Sequence, residues 1–132
     1  MTTWLGTIAA ERALENRRSP ATQAGLRIGV PRERRTGDFE CRYEIRGFGK
    51  IRRTKVYGVD SVQALTLAVL AVRHDLARMD DATWEGMPAY LTLPIVTGAC
   101  LPKKFVDRLE RAVERVHAAF YREARKRAPR SN

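Results

Sequence analysis

Residues 39–46 read Phe39-Glu40-Cys41-Arg42-Tyr43-Glu44-Ile45-Arg46, an unbroken alternation of apolar and charged side chains. Phe39, Cys41, Tyr43 and Ile45 share one side; Glu40, Arg42, Glu44 and Arg46 share the other. A period of two is the spacing a β-strand imposes, and one apolar face with one charged face marks an antiparallel strand resting on a core. Upstream, Leu26, Ile28 and Val30 alternate in the same way until Pro31, and Arg34-Arg35-Thr36-Gly37-Asp38 supplies a turn. Downstream, Gly47-Phe48-Gly49-Lys50 reverses the chain into a strand over 51–57, which completes a three-stranded meander. A fourth strand over 8–14 would extend it. There Ala9-Ala10-Glu11-Arg12-Ala13-Leu14 favours helix by propensity, so strand and helix both remain open.

A helix follows the meander. Asp60 is placed to N-cap it, and Gln63, three residues on, completes a capping-box pattern. Val62, Leu65, Val69, Val72 and Leu76 recur at helical spacing with Ala64, Ala68 and Ala71 beside them, so the helix runs to about residue 78 with most of its circumference apolar. Residues 79–101, with Gly86, Pro88, Pro94 and Gly98, read as an irregular connection holding a short strand over 89–93. Pro102 suits the first position of a second helix, expected over 102–128 with a tail at 129–132. Its apolar stripe is Phe105, Leu109, Ala112, Val116 and Phe120, joined by Val113. These elements make a single α+β domain over 1–132: an antiparallel three- to four-stranded meander packed by one apolar helix (8–78), plus a long basic C-terminal helix.

The chain has 132 residues, of which 44% are hydrophobic, enough for one core and too many for a disordered chain. Its net charge of +10 and its pI near 10.4 exclude an acidic tail protein. The longest apolar stretch, 65–72, is too short to cross a membrane. Met1 to Arg12 lacks the basic start and apolar run of a secretory signal, so a cytoplasmic protein is expected. Cys41 and Cys100 lack C-x-x-C spacing and read as small buried apolar residues.

Charge is concentrated at the two ends. Residues 1–60 carry +6, 61–101 carry −2 and 102–132 carry +6; 20 of the 25 basic residues are arginine. Two groups are candidates for binding an acidic partner or a polyanion. Arg34 and Arg35 in the turn, with Arg52 and Arg53 on the third strand, could share a sheet edge. Arg122, Arg125, Lys126 and Arg127 gather at the end of the last helix, where only Glu123 opposes them. Earlier in that helix Lys104, Arg108, Arg111 and Arg115 line one face, with Asp107, Glu110 and Glu114 beside it, a pattern that weak surface ion pairs also explain. Phe48, in its glycine-flanked turn, is the candidate exposed stacking residue for a nucleic-acid base.

Catalytic patterns are poor. His74 next to Asp75 does not put both groups on one helix face, and no Ser, Thr or Cys has a nucleophile signature. The cysteines and histidines lack metal-ligand spacing, and Gly47-Phe48-Gly49 lacks the following helix of a phosphate loop. A protein that is not an enzyme, with no cofactor and no metal, is expected.

Cys41-Arg42-Tyr43-Glu44-Ile45-Arg46-Gly47, followed by Gly58-Val59-Asp60-Ser61-Val62-Gln63-Ala64-Leu65, resembles a family of small uncharacterised bacterial proteins. These share a strand ending in Ile-x-Gly and a Gly-Val-Asp-Ser-x-Gln-Ala-Leu helix start. The family has no established activity. Its genes can sit near toxin systems, so the resemblance implies an immunity-type protein that neutralises a bacterial toxin. The expected function is therefore a binding module for an acidic protein partner, with Trp84, Met87 and Tyr90 as apolar contacts and no membrane partner. The alternative is nucleic-acid binding through the C-terminal helix and the sheet-edge arginines.

Overall fold

In the computed structural model, which describes residues 3–94 and 102–127, the alternating stretch is strand β4, Phe39–Arg46. It sits inside a seven-stranded sheet. The preceding strands are β1 (Ile8–Asn16), β2 (Ala24–Gly29) and the two-residue β3 (Arg32–Glu33); β5 is Arg52–Gly58. β1, β2, β4 and β5 form a four-stranded antiparallel meander. β3 pairs with the first residues of β4, prolonging the β2 side. Helix α1 (Ser61–Ala77) follows, then a hairpin of β6 (Ala82–Trp84) and β7 (Met87–Pro88), which extends the sheet beyond β1. A 3₁₀ turn, Ala89–Thr92, and helix α2, Lys103–Arg127, complete the described elements. The chain falls into two compact units, Met1–Val96 and Thr97–Asn132.

Residues 8–14 are strand. Pairing overrides helix propensity there: β1 supplies the backbone partners of β2 and turns Leu14 into the core. The core joins Leu14, Leu26, Ile28, Cys41, Tyr43 and Ile45 of the sheet to Ala64, Ala68, Val72 and Leu76 of α1. Asp60 caps α1 as expected, its Oδ1 accepting from the Gln63 backbone N–H at 2.7 Å. Gln63 Oε1 accepts from the N–H of Val59, one residue before the cap, at 2.7 Å.

The face that α1 turns inward differs from the expected one. Ala64 and Ala68 face the sheet, while Val62 is 72% exposed and Leu65 37% exposed. The cause is proximity. A Cβ on Gly58 would lie 2.4 Å from the Ala64 nitrogen, so β5 and the first turn of α1 meet where only small residues fit. Val30 also leaves the core pattern; it lies just past β2 and is exposed. The strand expected over 89–93 is the 3₁₀ turn Ala89–Thr92, closed by the Leu93 N–H donating to Tyr90 O. Pro88 cannot donate a ladder hydrogen bond, and its pairing with Thr83 is where the hairpin ends.

The second unit is described by α2. At 1.5 Å per residue its 25 residues span ~38 Å. Helical spacing places Lys104, Arg108, Arg111, Arg115, Arg122 and Lys126 on one face and Phe105, Leu109, Ala112, Val116 and Phe120 on another. Among the described residues no helix is long and apolar enough to cross a membrane.

Candidate functional site

The outer face of the sheet, opposite α1, is where charge and aromatic groups converge. Register builds it in rows, because side chains directly opposite on neighbouring strands are in contact. One row runs Glu11–Arg27–Glu44–Arg53 across β1, β2, β4 and β5, with signs alternating at every step. The next holds Arg42 beside Lys55. A third runs Arg32–Glu40–Tyr57.

Glu40 and Glu44 lie low in this face with cations over them, while Glu11 at its β1 side is exposed and pairs with Arg27 at 3.2 Å. Glu44 is 3% exposed, ion-paired to Arg46 at 2.9 Å and to Arg53 at 3.3 Å. Glu40 pairs with Arg42. Burial alone would raise the Glu40 carboxyl, but hydrogen bonding and charge from Arg42, with Lys55 and Arg32, hold it below the ordinary carboxylate value.

Two aromatic rings complete the surface. Tyr57, 46% exposed, carries the Arg34 guanidinium 4.6 Å from its centroid, and Asp38 pairs with Arg34 at 3.1 Å. Trp4 lies under Arg42 and Arg53, at 5.2 and 5.8 Å. It is anchored through its backbone, since Arg42 Nη1 donates to Trp4 O at 2.7 Å. Gly29 makes room for this N-terminal segment: a Cβ there would lie 2.5 Å from Leu5 O.

The expected site residues are thus separated. Arg34 and Arg53 share the outer face, but Arg34 lies opposite Asp38 and Arg53 opposite Glu44, about six residues and ~20 Å apart along the strand direction. Arg35 is exposed in the turn between β3 and β4. Arg52 points to the inner side, where it pairs with Asp75 at 2.9 Å. Arg122, Arg125, Lys126 and Arg127 lie in the last turns of α2, in the other unit. Phe48 is half-buried and packs against the core, which corrects its reading as an exposed stacking group. Trp84 and Tyr90 also pack on the core, covered by Arg12 at 4.5 Å and Arg73 at 5.4 Å; Met87 is exposed.

Sequence reasoning missed the inner cluster that Arg52 joins. Asp75, 5% exposed, accepts a hydrogen bond from the Tyr43 hydroxyl as well as the Arg52 ion pair. Burial, and then the hydrogen bond to Asp75, push the Tyr43 phenol up to about 12. A polar residue at a core position of an apolar helix was the available signal, because a buried carboxylate requires a partner. His74 is exposed while the neighbouring Asp75 is buried. Cys41 is buried with its Sγ 3.4 Å from Gly29 O, and burial raises its thiol; Cys100 lies outside the described residues. Among the described residues no three His, Cys, Asp or Glu side chains are grouped to hold a metal ion.

The fold is thus an α+β domain with a helix on one side of its sheet and an ordered mosaic of charge on the other. The chain belongs to the family described as a domain of unknown function (DUF6968), which matches residues 10–95, the meander, α1 and the following hairpin. No curated protein and no solved structure matches it.

Proposed function

We propose that this chain is a non-enzymatic binding module whose outer sheet face engages an acidic protein partner. The observation that carries the reading is the pairing of arginines with aromatic rings, Arg34 on the exposed Tyr57 and Arg42 with Arg53 on the half-buried Trp4, on a face where carboxylates are interleaved with the cations. Trp, Tyr and Arg are the residue types most enriched where binding energy concentrates in protein interfaces. Glu11, Glu40 and Glu44 weigh against a continuous phosphate backbone, which they would repel. A folded partner with its own fixed pattern of charge has no such difficulty. An immunity-type role against an acidic toxin is the finer form of this proposal, supported by the family resemblance. Nucleic-acid binding is the second reading, favoured by the cationic last turns of α2.

The two readings differ in salt dependence. Titration with a twenty-nucleotide oligo-dT, followed by tryptophan fluorescence, tests them. The proposal expects no saturable binding below about 0.1 mM at ~0.15 M salt, where non-specific affinity is commonly this weak. Micromolar binding with a steep log-linear loss on adding salt would replace it with the nucleic-acid reading.

A further inference from the structure

Strand β5 ends the meander with one side unused. Its seven residues pair with β4 in continuous register, Gly58 against Phe39 through Arg52 against Ile45, with no bulge. Among the described residues β5 pairs with no other strand. A long, regular edge is a template for another strand, and proteins blunt it with bulges, prolines, shortness or charge. β5 has no bulge and no proline; its protection is charge alone, Arg52, Arg53 and Lys55.

Those cations decide which strand can add. Antiparallel pairing of β5 with a second copy, centred on Thr54, would set Arg53 directly against Lys55. Centred on Lys55, it would set that lysine against its twin. Both arrangements put like charges opposite each other, which destabilises the pair. An acidic strand has the reverse effect, above all at Lys55. There the neighbour on β4 is Arg42, and the nearest carboxylate, Glu40, is 4.0 Å away and already paired to Arg42.

The inner side of the edge carries a second feature. Between β5 and α1 lies a hollow of about 520 Å³, lined by Tyr43, Thr54, Leu70 and Ala71 with Arg52, His74 and Asp75. A strand added ~4.8 Å beyond β5 would turn alternate side chains toward this hollow and the others toward Lys55 and Arg53. Strand addition beside a helix uses backbone bonds for affinity and such hollows for side-chain selection.

We infer that β5 accepts an extended acidic segment of the partner as an added antiparallel strand, its Glu or Asp side chains facing Lys55 and Arg53 and its apolar side chains entering the hollow between β5 and α1. This rests on the proposed acidic partner and adds where and in what conformation that partner is held.

The test uses the full chain and a blocked seven-residue peptide alternating Glu and Val. Amide hydrogen exchange is read by NMR along β5. The β5 amides that do not bond to β4 should exchange about tenfold more slowly at a peptide concentration about ten times Kd. The same peptide N-methylated at alternate residues should give no slowing. Lys55→Glu should weaken the peptide about tenfold and Lys55→Gln less, both with unchanged melting. Unchanged exchange along β5 at saturating peptide would overturn the inference. So would shifts confined to Trp4 and Tyr57, although that second result would leave the outer-face binding proposal standing.

Discussion

Replacing Tyr43 by Phe removes one oxygen from the centre of the inner cluster and nothing from its packing. Tyr43 is 1% exposed, and Asp75, to which its hydroxyl donates, is 5% exposed. A hydrogen bond to a charged group contributes ~1.5–3 kcal/mol, and the variant leaves the Asp75 carboxylate with the Arg52 ion pair alone. Shape is conserved, so no cavity penalty adds to this. We expect a loss of about 2 kcal/mol. For a unit of this size, each kcal/mol moves the melting temperature by ~4–8 °C, so the midpoint should fall by roughly 8–16 °C. Thermal unfolding followed by circular dichroism reads the change, with Tyr57→Phe on the exposed face as a control expected to melt as the parent does. The same variant has a signature at high pH. Tyr43 titrates at about 12 in the folded chain against ~10 unfolded, so the neutral phenol favours the folded state. That contribution is complete below pH ~10 and is lost as pH rises toward 12; Tyr43→Phe should flatten the decline. A melting shift below 2 °C would refute the reasoning, because the hydrogen bond would then not be fastening α1 to the sheet.

Asp60→Ala should cost about 1 kcal/mol in chemical denaturation by leaving the Gln63 N–H without its cap. Gly58→Ala should cost about 2–3 kcal/mol in the same assay, since its Cβ would meet the Ala64 backbone at 2.4 Å and neither strand nor helix can yield cheaply. Glu40→Gln should remove part of the stability lost on acidification. The wild-type carboxyl is held below its ordinary value, so its contribution is present above that value and disappears as pH falls through the folded one. A denaturation series between pH 7 and 3 compares the two chains.

The meander and the cap of α1 were legible because each rests on a local signal. Period-two alternation fixed β4, and Asp60 with Gln63 fixed where α1 begins. The inward face of α1 was not legible. Periodicity marks which residues are apolar, but Val62 and Leu65 look outward because Gly58 brings the backbone close enough to admit only alanines. Residues 8–14 stayed open for the same kind of reason, since a distant partner strand rather than propensity decided them. The arginines were recognisable as a group, but their partners were not. That Arg53 meets Glu44 while Arg52 meets Asp75 depends on strand register and on which face each residue takes. The burial of Trp4 was not readable from the sequence, because its place on the outer face depends on the room left at Gly29, far along the chain.

The most direct test of the outer face as a protein-binding surface is site-specific photo-crosslinking in the native cell. A photoreactive phenylalanine replaces Tyr57, and a second chain carries it instead at Ala77, an exposed position at the end of α1. The account predicts a crosslinked product from position 57 that is resistant to nuclease, contains an acidic protein by mass spectrometry, and disappears when Trp4→Ala and Arg53→Ala are added. It predicts no such product from position 77. A product from position 57 that nuclease removes, or equal capture of the same protein from both positions, would contradict it.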